Sequence, residues 1–566
     1  MLEHIQHPDG TPVEDLDEAI GGLMIKSENW QALNFLQERY REQVKCIYID
    51  PPYNTGRDGF LYRDNFQHSS WLTLMADRLI SGKSLMRQDS LIFTQMDENE
   101  DELCHNILSH VFLRENYIET VIWRKRGGPP NDRIIASVHE NIYIYAKSID
   151  DFDLRLLPRS DESIERYANP DNDPRGPWVA GDLSANAKGG RFVESLYFEI
   201  TNPRSGRKFL PPEGACWRFN KEKVNELIEA GRIFFGLDDN GRPKLKRFLS
   251  DVRDGTTIPS IWSDLPTNTV SRSEINQLFG ENNAFDTPKP VDLIKRVVFT
   301  SVYAGQKILD FFAGSGTTAH AVLTQNKEDG GSRKYILVEM ADHFDTVMKP
   351  RIQKVAYSSN WKDGKPRDTD GQSHIFKYME LEQYDDTLNN IEFLDRDGRL
   401  QTTIFGMSDY MLRYFLDVET RESPCRLNVD RLATPFAYTL RVRRDVGFDH
   451  VPVDEDGFRE VTVDLVETFN YLIGLHVRRR VVRHQGGLTY RAVHGVLPDG
   501  KTATIVWRNS PKNPIGREQE LEADAAFIKD EILREFPDTG VLYVNGHCFA
   551  PQATPIEPEF KKCMGA

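Results

Sequence analysis

Apolar positions fall at helical spacing in "MIKSENWQALNFLQERYR", residues 24–41: Trp30, Leu33, Leu36 and Tyr40 share one face, and Ser27 is placed to cap the start. A short loop then leads into "VKCIYID", an apolar run of strand length. The alternation continues, with "WLTLMADRLISGKSLM" predicting a helix, "DSLIFTQMD" a strand, "ENEDELCHNILSHVF" a helix, and "YIETVIWRK" and "NIYIYAKS" two further strands. Strands alternating with helices predict a parallel α/β sheet with helices on its faces.

Between about residues 150 and 280 this rhythm gives way to loops rich in Pro, Gly and Asn, such as "NPDNDPRGPW" and "PRSGRKFLPPEG". It returns with "PKPVDLIKRVVFTSVY" as helix, "QKILDFFAGSGTTAHAVLTQN" as strand, turn and helix, and "RKYILVEM" as strand. The polar stretch "SSNWKDGKPRDTDGQ" predicts an exposed connection, and mixed helix and strand follow. The boundaries expected are 1–150 and 281–370 for two parts of one α/β domain, 151–280 for an insertion, and 371–566 for a C-terminal domain.

The chain of 566 residues has room for several cores, and its 39% hydrophobic and 28% charged content describes a globular protein. No apolar run approaches the length of a membrane span, and the first residues lack a basic segment followed by an apolar one, so a cytoplasmic protein without a membrane partner is expected. A net charge of -16 argues against coating nucleic acid with the whole surface and leaves room for a local basic groove. The six cysteines (Cys46, Cys104, Cys216, Cys425, Cys548 and Cys563) are scattered without metal-site spacing, so no metal is expected.

In "ILDFFAGSGTTAHAV", Asp310 closes a strand, Gly314, Ser315 and Gly316 make a turn, and Thr317 opens a helix. Glycines there let a ligand approach the main chain near the partly positive helix start. The next strand ends near Glu339, 23 positions after Gly316, where an acid can accept hydrogen bonds from ribose hydroxyls. Ala319 stands where a dinucleotide motif needs its third glycine, and no Gly-Lys-Ser/Thr follows. An adenosine-containing ligand without a phosphate chain is left, and S-adenosylmethionine fits that description.

"YIDPPYNTG" places Asp50, Pro51, Pro52 and Tyr53 directly after a strand. Loops after parallel strands lie at the carboxyl edge of the sheet, so this loop and the glycine turn can share one cleft. The prolines stiffen the loop and hold two acceptors, the Asp50 carboxylate and the Pro51 carbonyl, at a set separation. An amino group with two N–H donors matches that pair, and Tyr53 offers a face on which a planar base can stack.

These residues resemble the amino-group DNA methyltransferases that use S-adenosylmethionine, a family with a seven-stranded twisted sheet. The catalytic motif precedes the cofactor motif with an insertion between them, the order of the family's β group, whose members carry a target recognition domain in that gap. "ITNPRSGRKFLPPEGACWRF", "GTTIPSIW", "FDTPKPVDLIKRVV", "VDLVETFNYLIGLHV" and "ATIVWR" extend the likeness to the modification subunits of type III restriction-modification systems, which methylate adenine N6. The resemblance implies Asp50, Pro51, Pro52 and Tyr53 as catalytic residues, and Asp310, Phe311, Phe312, Ala313, Gly314, Ser315, Gly316, Thr317 and Glu339 around the cofactor. Lys289 and Pro290 of "TPKP" are implied as further cofactor contacts. Ser27-Glu28-Asn29 departs from the Gly-Asp-Asn of many relatives.

The resemblance further implies double-stranded DNA as partner with the target base rotated out of the stack, and it makes a homodimer and a restriction (helicase and nuclease) subunit further expectations. Residues 199–255 carry 12 Lys/Arg against 9 Asp/Glu, and Arg204, Arg207, Lys208, Lys244, Lys246 and Arg247 are the candidate DNA contacts. "HVRRRVVRH", His476 to His484, reads either as an exposed strand edge or as a nucleic-acid or subunit contact, and His139 in "SVHENIYIY" as a structural histidine. The alternatives are methylation of cytosine N4, whose enzymes in the resembled family more often carry Ser where this chain has Asp50, methylation of RNA, and a DNA-binding subunit without catalysis, which need not keep both motifs.

Overall fold

The computed structural model describes residues 13–54, 67–129, 134–187, 191–253, 255–282, 284–383, 386, 393–394, 400–401, 432–443, 457–510 and 515–563. Cys425, Thr55 and Gly56 lie outside the described residues. Two units separate by their internal contacts: Met1–Leu154 with Ser260–Ala566, and Arg155–Pro259.

The larger unit is built on nine strands: β1 (Gly22–Lys26), β2 (Val44–Ile49), β3 (Met86–Met96), β4 (Tyr117–Arg124), β5 (His139–Ala146), β6 (Ile261–Trp262), β7 (Lys307–Asp310), β8 (Lys334–Glu339) and β9 (Phe376–Glu380). They lie in the order β6-β4-β5-β3-β2-β7-β8-β1-β9. Only β5 runs antiparallel to its neighbours, β3 and β4. Its sense follows from its connection: no described helix intervenes in the short segment between β4 and β5, whereas a parallel neighbour requires a long crossover. The seven strands from β4 to β1 match the expected sheet, and the short β6 and the later β9 add one strand to each edge.

Every residue of β1, β2 and β8 is buried, the signature of strands covered on both faces. After β2 the chain crosses through α1 (His68–Leu85) to β3 on one side, and after β7 it crosses through α2 (Thr317–Asp329) to β8 on the other. β2 and β7 pair directly, so the sheet reverses its winding between them, and the crevice beyond their carboxyl ends is where open α/β sheets bind ligands.

Two local expectations change. Met24 to Lys26 belong to β1 rather than to the following helix, which covers Asn29–Phe35 and is capped by the Glu28 side chain accepting the Gln31 N–H at 3.2 Å. Trp30 is 49% exposed, outside the apolar face its spacing suggested. The apolar run that precedes it is sheet core, since continuous burial carries no helical period.

The C-terminal residues form a five-stranded sheet whose edge strand, His476–Gln485, is the basic run. Four of its basic residues are paired within the chain: Arg479 and Arg483 reach Glu535 at 2.8 and 2.7 Å, Arg480 pairs with Glu467, and His476 contacts Asp15 at 2.9 Å, while Arg478 and His484 are exposed. The strand edge is thus bound into the unit. Phe35 and Tyr471 stack at 4.9 Å and Lys377 of β9 pairs with Glu467 at 2.7 Å, so described residues after 370 pack with the large sheet and share its unit. No described helix is long and apolar enough to cross a membrane.

The smaller unit has a three-stranded antiparallel sheet of Ile233–Phe234, Lys244–Phe248 and Trp178–Gly181 and a helix, Lys221–Glu229, capped by Asn220. Leu183, Phe209, Trp217, Val224, Ile233 and Phe235 belong to its core. It ends at Pro259 rather than near 280, because Ile261–Trp262 pairs in parallel with β4 and draws the chain back into the large sheet.

Candidate active site

Asp50 follows the last residue of β2, and the backbone from Pro51 to Asn54 takes no regular form. The Trp71 indole N–H donates to the Pro52 carbonyl at 3.0 Å, fixing the loop against α1. Tyr53 donates its hydroxyl to Asp50 Oδ1 at 2.5 Å, and the Lys289 ammonium stands 2.9 Å from Asp50 Oδ2 and 2.8 Å from the Tyr53 oxygen.

A second carboxylate completes this group. Glu140, at the start of β5 and 3% exposed, brings Oε2 to 3.0 Å from Tyr53 Oη and 3.3 Å from Lys289 Nζ. Gln95 of β3 donates to the same oxygen at 2.5 Å and accepts from Tyr48 at 2.6 Å, while Lys125 stands 3.5 Å from Oε1. Burial pushes the Asp50 carboxyl up from its ordinary value against the pull of Lys289, and Glu140 adds to the rise. Burial pushes Glu140 the same way, but Lys289 and Lys125 outweigh it and the net direction is down. Burial disfavours the Lys289 charge, yet the two carboxylates prevail and hold it protonated.

The glycine turn begins at the neighbouring strand end. Asp310 accepts the Phe312 N–H at 3.1 Å and the Thr318 hydroxyl at 2.5 Å. No described Lys or Arg forms an ion pair with it, and burial pushes its carboxyl up to about 7. Gly314 and Gly316 have φ of 49° and 76°, the left-handed region that favours glycine. A Cβ on Gly316 would come within 2.7 Å of Met348 Cγ, and one on Gly314 within 3.6 Å of the Phe285 ring. Glu339 accepts the Gly314 N–H through Oε2 at 2.9 Å and the Met340 and Ala341 N–H groups through Oε1 at 2.9 and 3.0 Å, tying β8 to the turn.

The structure brings Asp50, Tyr53 and Lys289 together in one group, and Asp310, Gly314, Ser315, Gly316, Thr317 and Glu339 in a second at the next strand end. Lys289 links them: its side chain joins the first, and its carbonyl accepts from the Thr317 hydroxyl at 3.3 Å. Phe311 is buried, and Phe312 and Ala313 nearly so, within the strand-to-turn segment, and Pro290 caps the helix Val291–Ser301.

Three groups escaped the sequence reading. Glu140 lies beside the histidine that drew notice, while His139 itself is exposed. Arg351, fully buried, donates to Ser315 Oγ at 2.8 Å and Thr317 Oγ1 at 3.0 Å and so braces the turn from behind. Asn29, in the divergent Ser-Glu-Asn segment, donates to the Phe311 carbonyl at 3.1 Å and accepts from Arg78 at 2.7 Å. The one available signal was the position of Asn29 just after β1, at the same sheet edge.

In the smaller unit, Arg204, Arg207, Lys208, Lys244 and Arg247 are exposed. Lys246 is not: it is 6% exposed and bonded to Asp171 and to Asp173, the latter at 2.7 Å. The alternation of its strand turns Lys246 inward with Phe248 and leaves Arg247 outside, so Lys246 leaves the candidate phosphate contacts.

Among curated proteins, the chain is 32% identical to the type III restriction-modification enzyme StyLTI Mod subunit of Salmonella typhimurium, over 58% of this chain and 54% of that protein. It is 27% identical to the EcoP15I Mod subunit of Escherichia coli, over 56% of this chain and 58% of that one. The type II methyltransferase M.KpnI of Klebsiella pneumoniae is 29% identical over 57% of this chain and 81% of its own length. The chain thus spans a little over half the length of the Mod subunits it matches. The two strand ends that build the site both lie inside the stretch 44–349 matched by the DNA methylase family, and the chain belongs to that family.

Proposed function

We propose that this chain transfers a methyl group from S-adenosylmethionine to the N6 amine of adenine in duplex DNA, and that it serves as the modification and recognition subunit of a type III restriction-modification system. The observation that carries the reading is the pairing of β2 with β7, which sets the Asp50 loop and the glycine turn at adjacent carboxyl ends of one sheet.

The residues at the turn fit the cofactor. Asp310 is a buried carboxylate raised to about 7, and a cationic α-amino group beside it would relieve that cost. The left-handed glycines keep the main chain open to a ligand, and His343 Nε2, buried beside Glu339 without a hydrogen bond, has a position to give to one. Asp310, Gly314, Ser315, Gly316 and Glu339 would hold the methionine and ribose, with Lys289 and Pro290 bounding the segment that faces Thr317. The bound cofactor supplies the electrophilic methyl.

Everything else falls to the chain. An adenine amine is a weak nucleophile because its lone pair is delocalised into the ring. Asp50 and the Pro51 carbonyl accept its two N–H bonds, favour a pyramidal nitrogen and leave the lone pair free for attack, and the Asp50 carboxylate faces the proton that the methylated nitrogen must lose. Tyr53, anchored through its hydroxyl, presents the face on which the rotated base stacks.

The smaller unit, Arg155–Pro259, with Arg204, Arg207, Lys208, Lys244 and Arg247, is assigned to target recognition. The Mod relatives, named as subunits of type III restriction-modification enzymes, support the further reading of a restriction subunit as partner, and to that reading we add a homodimer as assembly and the cytoplasm as location. A tritium-transfer assay on varied duplex DNA, followed by nucleoside analysis, tests the activity: labelled N6-methyladenine is expected. Labelled N4-methylcytosine, or no label, overturns it.

A further inference from the structure

Both oxygens of Asp50 are engaged within the chain, Oδ1 by the Tyr53 hydroxyl at 2.5 Å and Oδ2 by the Lys289 ammonium at 2.9 Å. Resting on the function proposed above, a target amine needs one of those oxygens. Whatever releases Asp50 must leave Lys289 another partner, because a buried ammonium stripped of its carboxylate is an uncompensated charge.

Glu140 is the acceptor already in place. Its Oε2 lies 3.0 Å from Tyr53 Oη and 3.3 Å from Lys289 Nζ, slightly longer than the same groups' distances to Asp50. The carboxylate is held in place by Gln95 at 2.5 Å, and Gln95 is in turn oriented by Tyr48 at 2.6 Å. Lys125, 3.5 Å from Oε1, balances the second negative charge, so the group of two acids and two lysines is neutral. A small movement of Lys289 and Tyr53 toward Glu140 therefore frees Asp50 without stranding a charge.

We propose that Glu140 is a positioning residue: it takes up the Lys289 ammonium and the Tyr53 proton when the target amine binds Asp50. Without it, Lys289 has Asp50 as its only described carboxylate and competes with the substrate for that acceptor.

The test is a double-mutant cycle in the full chain, with Glu140→Gln, Lys289→Met and both together, measured by tritium transfer to duplex DNA and by calorimetric binding of S-adenosylmethionine. Glu140→Gln is expected to lower kcat/KM for DNA by at least tenfold with cofactor affinity unchanged, since Glu140 touches no residue of the glycine turn. Its deficit narrows as pH rises toward deprotonation of Lys289, which is faced by Asp50, Glu140 and Tyr53, with Lys125 behind Glu140. The double variant is expected to lose less than the product of the two single losses, because Glu140 acts in part through the lysine and in part through Tyr53. Losses that multiply in the double variant, a deficit constant with pH, or a Glu140→Gln enzyme equal to wild type overturn the inference while the wild-type activity stands. A wild type that transfers nothing overturns the proposed function and this inference together.

Discussion

Leu309 of β7 stands in register with Ile47 of β2, and this pairing brings the carboxylates of Asp310 and Asp50 into one electrostatic neighbourhood just past the strand ends. Burial is the main cause of the raised Asp310 pKa, and the nearby charges of Asp50 and Glu339 add to it, against the hydrogen bonds from Thr318 and Phe312.

A first prediction follows from that carboxyl. Its folded pKa of about 7 lies above the ordinary 3.8, so from about pH 4 to pH 7 the folded chain keeps a proton that the unfolded chain has lost. Stability of the ligand-free protein therefore falls as pH rises through this window, by up to about 4 kcal/mol from this group. Asp310→Asn should flatten the dependence of Tm on pH across it. Below pH 7, cofactor binding should release a proton, seen as a dependence of calorimetric enthalpy on the buffer's ionisation heat; a buffer-independent enthalpy contradicts this.

Gly316→Ala tests the turn. The residue sits at φ 76° with Met348 Cγ 2.7 Å from the position of an added Cβ. The left-handed conformation costs about 1–2 kcal/mol for a side chain, and displacement of Met348 adds to it. A Tm lowered by several degrees and weaker cofactor binding are expected, with DNA binding retained.

Tyr53 separates two roles. Tyr53→Phe keeps the ring and loses the contacts to Asp50, Glu140 and Lys289, whereas Tyr53→Ala also loses the stacking face, worth about 1–3 kcal/mol per base. Target-base binding should therefore weaken by roughly ten- to a hundredfold more for Ala than for Phe. Equal losses would remove the stacking role.

The strand Lys244–Phe248 offers a contrast between neighbours. Arg247→Ala should reduce the salt dependence of DNA binding by about one phosphate contact and leave Tm unchanged. Lys246→Met should do the reverse, destabilising the smaller unit by about 1–3 kcal/mol because Asp171 and Asp173 lose their buried cation.

Six of the seven central strands and the two motifs were legible in the sequence because each depends on local signals, whereas β1 was read as the start of a helix. Strand-length apolar runs such as "VKCIYI" and the glycines of "FAGSG" can be read without partners. The edge strands β6 and β9 were not, since a two-residue strand has no period and β9 owes its place to pairing with β1. Glu140, Arg351 and Asn29 were missed for a related reason. A lone acid, arginine or asparagine gains its role from groups that lie far off in sequence, Lys289, Ser315 and Phe311 respectively, and no spacing rule connects them. Lys246 misled because a basic residue in a short strand faces solvent or core according to a pleat that composition does not reveal.

The central claim is that Asp50 serves the transfer step while the glycine turn serves the cofactor. Comparing Asp50→Ala with wild type, by calorimetric cofactor binding and tritium transfer on the same duplex DNA, tests it most directly. The account predicts cofactor affinity within a few-fold of wild type and transfer reduced at least a hundredfold, the scale of losing a preorganised polar group that acts on the reacting centre. Transfer by Asp50→Ala at the wild-type rate would contradict it.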